Sequence, residues 1–379
     1  MKIAFRADAS LLMGSGHVMR CLTLADALKA QGAECHFISR AHPGHLLDVI
    51  HQHGHMSNSL AAPVQKSQVA IKTIAATVQG RQQNQQNEPA RTAWLGCDWE
   101  TDAAETGAIL NTLQTDWLVL DHYALDLRWE TALRPHYRRL LVIDDLADRP
   151  HRCDLLLDQN LGRQPQDYAG LVPSQCQVLT GPQYALLRPE FAALRPYSLQ
   201  RRERPTLKHL LITMGGVDLP NATGLVLQAL KACALPQDCR ISVVMGLQAP
   251  WLQQVQEQAQ VMRWPTQVLV NIADMARCMA DSDLAVGAAG STSWERCCLG
   301  LPTLVVVLAD NQWPGARALQ AVQAANLIGD VSEIATQLPL AVQASTQHLR
   351  LMQMSAAASV VTDGQGVDRT LQAMGVLDD

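Results

Sequence analysis

The chain has 379 residues, 48% of them hydrophobic and 17% charged, with a formal net charge of −5. At roughly 150 residues per domain, that length divides into two domains, each large enough for its own core. No apolar run reaches the roughly 18 residues that cross a bilayer, and so mild a charge gives no chain-wide attraction to nucleic acid or an anionic membrane, so an anionic ligand needs a local site.

The opening MKIAFRADAS reads as a core strand from its third residue, without the apolar stretch and cleavage site of a signal peptide, and cytoplasmic residence is expected. The ten cysteines form no CxxC pair and fit small buried hydrophobes in a reducing compartment. The first strand, Lys2–Phe5, leads through Arg6-Ala7-Asp8 to Gly14-Ser15-Gly16-His17 and a helix with Val18, Leu22, Ala25 and Leu28 on one face, stopped by Gly32. A glycine turn between a strand's carboxyl end and a helix presents amides to a phosphate, which makes Gly14, Gly16 and Arg20 candidate ligand contacts and places His17 beside the anion. The same residues also suit an ordinary tight turn. A dinucleotide site is disfavoured: Met19 holds the place of the third glycine, and no acid ends the second strand, Glu34–Ser39, although Arg40 follows it.

His42, His45, His51, His53 and His55 suggest zinc, yet no supporting carboxylate or thiolate is evident in the sequence, and a solvated loop is expected. No metal and no cofactor are expected. Gln79–Ala90 is rich in glutamine and asparagine and reads as a surface insertion. The strand Trp117–Asp121 ends in an acid, an imidazole and a phenol (Asp121, His122, Tyr123), and the strand Leu140–Asp144 ends in Asp144-Asp145, read as structural because neighbouring strand residues face opposite ways. Leu155–Leu157 is the last strand expected in the first half.

Pro196–Pro205 concentrates charge between prolines and reads as an exposed linker. The expected domains are therefore 1–197 and 206–379, joined by 198–205. Strands follow at Leu207–Met214, Arg240–Met245, Gln267–Asn271, Leu284–Val286 and Thr303–Leu308, alternating with helical patterns. Gly215 and Gly216 form a second phosphate-type turn. In Gly287–Glu295, Gly290, Ser291 and Thr292 would face a diphosphate while Glu295, one turn along, accepts from ribose hydroxyls; a plain capped helix fits as well. Asn311 and Gln312, beyond the next strand, are placed for sugar hydroxyls or amides. After Asn326 the chain reads mainly as helix, with Met352, Met354 and Met374 as core residues.

The ordered set of Gly14 to Cys21, Asp121 to Tyr123, Asp144 to Ala147, Asp158 to Asn160, Gly181 to Phe191, Met214 to Asp218 and Gly287 to Glu295 resembles the UDP-2,4-diacetamido-2,4,6-trideoxy-β-L-altropyranose hydrolases of pseudaminic acid biosynthesis. The resemblance implies an α/β protein of GT-B architecture, with two Rossmann-like doubly wound domains facing a central cleft and the last helix packing back on the first. It also implies UDP held mainly by the second domain and metal-independent hydrolysis at the anomeric carbon. His17 matches the catalytic base and Tyr123 a second catalytic candidate. Gly290, Ser291, Thr292 and Glu295 match the UDP-binding turn. The expected partner is a small UDP-sugar bound by a monomer, without nucleic acid or membrane insertion. A glycosyltransferase of the same architecture and a non-catalytic UDP-sugar binding module are the rival readings.

Overall fold

Strands buried on both faces must be apolar along their whole length, and the uniform Val, Ile and Leu runs of this chain become the inner strands of two parallel sheets. The structure, a computed structural model, describes residues 1–62 and 94–377, so the Gln79–Ala90 segment lies outside the described residues. Among the described residues, no helix is long and apolar enough to cross a membrane.

The first sheet contains β1 (Lys2–Ala7), β2 (Glu34–Arg40), β3 (Met56–Leu60), β4 (Thr115–Asp121), β5 (Tyr137–Ile143), β6 (Leu155–Asp158) and β7 (Gln177–Thr180), ordered β3-β2-β1-β4-β5-β6-β7. Its described helices are α1 (Gly16–Ala30), α2 (Leu47–Gln52), α3 (Trp99–Leu113) and α4 (Leu127–Leu133). On one face Leu118, Leu120, Leu140 and Val142 pack with Leu110 of α3 and the fully buried Trp129 of α4. Strand order reverses between β1 and β4, with Ala7 opposite Asp121, so the carboxyl ends of these two strands mark the place where open parallel sheets bind ligands.

The second sheet runs β10-β9-β8-β11-β12-β13, with β8 (His209–Thr213), β9 (Arg240–Met245), β10 (Thr266–Val270), β11 (Leu284–Ala288), β12 (Thr303–Val307) and β13 (Ala325–Asp330). Its helices are α5 (Pro189–Arg201), α6 (Ala222–Leu230), α7 (Leu252–Gln260), α8 (Met275–Ala280), α9 (Thr292–Cys298), α10 (Trp313–Ala321), α11 (Ile334–Ser345) and α12 (His348–Ser359), before α13 (Gly366–Ala373). Side-chain alternation divides the core into two layers: Leu210 and Ile212 of β8 join α6 and α11, while Leu211 joins α8, α9 and α10.

One compact unit comprises Met1–Gln159, Arg163–Thr180 and Asp368–Asp379, and the other comprises Asn160–Gly162 and Gly181–Val367. This division differs from the expected linker at 198–205. The charged stretch there is only partly solvated: Glu203 and Arg204 are exposed, but Ser198 and Arg202 are buried, and α5 continues through Arg201. The Arg202 guanidinium donates to the carbonyls of Met279 and Ser282 at 3.1 and 2.8 Å, satisfying the open end of α8, while the Ser198 hydroxyl donates to Leu299 at 2.7 Å. Three strands escaped the sequence reading, and each forms a sheet edge: β3 (MSNSL), β7 (QVLT) and β13 (ANLIGD). β13 ends at Asp330, and beyond it the chain is mainly helix, as expected after Asn326.

Candidate active site

Between β1 and α1 the chain folds back on itself, with Ser10 N–H donating to Gly14 at 3.3 Å and Gly14 N–H donating to Ser10 at 2.8 Å. Gly14 takes φ +78°, a conformation that suits glycine. Ser15, at the helix start, makes no side-chain cap, so the first amides of α1 lack the partner that a capping hydroxyl supplies.

In the first turn of α1, His17 and Arg20 sit side by side and meet Asp121 from the end of β4. His17 Nδ1 lies 2.6 Å from Asp121 Oδ1; Arg20 donates from Nε to Oδ2 at 2.6 Å and from Nη2 to Oδ1 at 2.7 Å. A carboxylate accepts only, so Nδ1 carries the imidazole hydrogen and Nε2 is left as the basic nitrogen. Burial disfavours charge on Asp121, but Arg20 and then His17 outweigh it and hold this carboxyl far below the ordinary range. Arg20 continues to Asp145, at 3.1 Å to Oδ1 and 2.9 Å to Oδ2, and Asp145 Oδ2 accepts the Tyr123 hydroxyl at 2.8 Å. The Tyr123 and His17 rings meet edge to face with centroids 4.6 Å apart. Burial, and next the Asp145 charge, push the Tyr123 phenol well above its usual value.

On the other face of the sheet, Arg6 is forked between Asp8 and Asp102, and Arg40 bridges Asp102 and Glu105. Arg40 is therefore consumed in ion pairs, which removes the one residue that favoured a dinucleotide phosphate. Asp8 faces His122 at 3.3 Å and His42 at 3.8 Å. The histidines expected in a solvated loop are partly anchored: His53 and His55 both meet Asp26, at 2.8 and 2.7 Å, and His55 is buried. Among the described residues no group of three or more His, Cys, Asp or Glu is placed to hold a metal ion.

In the second unit, β8 and β11 are neighbours at the reversal of strand order, and β12 lies next to β11. Three consecutive loops therefore leave the same sheet end. In the first, Gly215 is exposed with φ +85°, and Gly216 accepts from Gly246 N–H at 3.1 Å. A Cβ on Gly246 would collide with the Gly216 carbonyl oxygen. Asp218 accepts from the amides of Ala222 and Thr223, at 2.9 and 2.8 Å, and so caps α6. In the second loop, the buried Arg296 reaches back from α9 to the Ala288 carbonyl at 2.7 Å, Ser293 Oγ at 2.9 Å and Thr292 Oγ1 at 3.1 Å. Gly287 makes room for it, since a Cβ there would sit 2.6 Å from Arg296 Nη1. Burial brings the Arg296 guanidinium down to about 10. Thr292 accepts from Arg296, so its own hydroxyl hydrogen is directed elsewhere, and Ser291 is exposed. In the third, Gln312 Oε1 accepts from Leu308 N–H at 2.9 Å, turning its amide nitrogen toward Gly290, while Asn311 is exposed. Glu295 lies 3.8 Å from Arg188; burial raises its carboxyl, opposed by Arg188.

The glycosyltransferase family 28 C-terminal domain matches residues 209–369. Over 77% of this chain and 86% of the relative, the sequence is 25% identical to a UDP-2,4-diacetamido-2,4,6-trideoxy-beta-L-altropyranose hydrolase of Campylobacter jejuni. A spore coat polysaccharide biosynthesis protein of Bacillus subtilis is 28% identical over 52% of this chain and 58% of its own length. The crystal structure of MurG from Acinetobacter baumannii superposes with a TM-score of 0.64 at 15% identity, covering 99% of both chains. The chain has the GT-B fold and is similar in sequence to that hydrolase. In this GT-B chain the first unit gathers His17, Arg20 and Tyr123 around two carboxylates. The second unit gathers the Gly215–Gly216, Gly290–Glu295 and Asn311–Gln312 segments at one sheet end. Arg20, expected at the ligand, instead spends its guanidinium on Asp121 and Asp145. Asp121 as a partner of His17, and Asp145, were missed; the signal for both was the position of an acid at a strand's carboxyl end or two residues past it.

Proposed function

We propose that the protein hydrolyses a UDP-sugar, and specifically UDP-2,4-diacetamido-2,4,6-trideoxy-β-L-altropyranose, releasing UDP. The His17–Asp121 pair carries this reading: a short bond fixes the imidazole tautomer and leaves Nε2 as a base at the start of α1. Water attacks the anomeric carbon and Nε2 takes one of its protons. The C1–O bond breaks with its electron pair leaving on UDP, so the sugar is released with inversion. Charge growing on the diphosphate meets the amides and hydroxyls of Gly290, Ser291 and Thr292, held in place by Arg296. Glu295 accepts from the ribose. The base and the charge stabilisation both come from the chain, and turnover is expected to be insensitive to chelators.

Phosphorus NMR of the protein with this nucleotide sugar, in ¹⁸O-labelled water, tests the reading: label in the sugar and none in UDP is the expected result, and label in UDP rules out attack at C1. A glycosyltransferase is the second reading, favoured by the family 28 match. It predicts that UDP release is negligible in water alone and appears when a sugar acceptor is added.

A further inference from the structure

Asp145 stands just beyond β5 with both carboxylate oxygens engaged: Oδ1 accepts from Arg20 Nη1 at 3.1 Å, and Oδ2 accepts from Arg20 Nη2 at 2.9 Å and from the Tyr123 hydroxyl at 2.8 Å. A carboxylate paired with a guanidinium accepts and does not donate, so the hydrogen in the last bond belongs to the phenol. Arg20 is planar and grips Asp121 on its other side, and Asp121 holds His17. One rigid fork thus sets the imidazole, through one carboxylate, and the phenol, through another. The two rings lie edge to face, 4.6 Å between centroids.

We propose that Asp145 is a positioning residue: by taking the Tyr123 hydrogen it leaves the phenol oxygen as an acceptor beside His17, where the two groups orient one water molecule. The proposal deepens the hydrolase reading and rests on it. A water about to attack carbon must keep a lone pair free for the new bond. With Tyr123 as acceptor, one water hydrogen goes to His17 Nε2 and the other to the Tyr123 oxygen, and the lone pair is directed outward. The proton on Nε2 is transferred during attack, while the second hydrogen stays on the product hydroxyl. Tyr123 as a donor would instead occupy one of the water's two lone pairs and make the oxygen a weaker nucleophile. Burial and Asp145 both keep the phenol protonated, which preserves the arrangement at neutral pH.

The test is a double-mutant cycle on turnover, combined with a signal that needs no turnover. Asp145→Ala lowers kcat about tenfold with KM within twofold, Tyr123→Phe does the same, and the double variant falls no further, because Asp145 acts through Tyr123. An equal tenfold loss from Asp145→Ala in the Tyr123→Phe background overturns the proposal. Asp145→Asn, isosteric, replaces Asp145→Ala if the alanine variant does not fold. In the protein labelled with 3-fluorotyrosine, the Tyr123 fluorine signal is the one missing from Tyr123→Phe. It should shift in Asp145→Asn and ionise at lower pH than in the unsubstituted protein; an unmoved signal and midpoint overturn the proposal. If the unsubstituted protein releases no UDP into water, the hydrolase reading fails by itself, and the fluorine signal still decides whether Asp145 governs the phenol.

Discussion

At the carboxyl end of the first sheet, side chains set the geometry; at the corresponding end of the second, the main chain does. His17, Arg20, Asp121, Tyr123 and Asp145 form a ladder in which each charged group is fixed by its neighbour. The turns after β8 and β11 instead owe their shape to Gly215, Gly246 and Gly287, with Arg296 bracing carbonyl and hydroxyl oxygens from beneath. The contrast suits two chemical needs. A base must have one defined tautomer and direction, which a hydrogen-bonded carboxylate provides. A diphosphate needs several donors at close approach, which small residues and open amides provide.

If the division holds, substitutions in the ladder strike turnover and those in the turns strike nucleotide affinity. The largest effect is expected from His17→Asn, which should lower kcat by about two to four orders of magnitude while UDP affinity, read by calorimetry, stays within twofold. Comparable loss of UDP affinity would break the comparison. Next comes Asp121→Asn, which leaves Arg20 short of a buried partner and should cost about 3 kcal/mol of stability in denaturant titration, together with most turnover. Because the Asp121 carboxyl is depressed in the folded protein, its contribution is present above the ordinary aspartate range and is lost as pH falls through that range toward the folded value, so the variant should also show a flatter acid limb.

Gly246→Ala should cost about 1–3 kcal/mol and weaken UDP binding, since the added methyl pushes on the Gly216 carbonyl, with kcat at saturation little changed. A lowered kcat with intact affinity would contradict the assignment of this turn to binding. The smallest shift belongs to Glu295→Gln. Burial raises this carboxyl, so its contribution to stability is complete below the ordinary glutamate range and is lost as pH rises through the folded value. Thermal melts at pH 4 and pH 8 should therefore show a gain for the glutamine variant, under about 1 kcal/mol, at the higher pH alone.

Inner strands were legible because burial on both faces demands an unbroken apolar run, as in Leu140–Ile143 or Thr303–Val307. The edge strands β3, β7 and β13 were not, since an edge carries polar residues such as Ser57 and Asn58 or a glycine such as Gly329, and pairs on one side only. Glycine turns were visible by type and position. The partnership of His17 with Asp121 spans 104 residues and depends on strand order, which no local pattern records. Asp145 shows the limit of reading alternation alone: Asp144 does turn inward, to Tyr168 and Arg149, and the same alternation sends its neighbour to the ladder. The charge of Pro196–Pro205 misled because arginines that serve helix carbonyls look, in sequence, like solvated ones.

The first unit is assembled from Met1–Gln159, Arg163–Thr180 and the segment from Asp368 onward, with Thr370, Leu371 and Met374 buried. On a ribosome the second unit is therefore finished earlier than the first, although it begins later. The nascent front half must wait, unsealed, until Asp368 and the residues after it have been made, and a truncation before Thr370 would harm the half that was translated first.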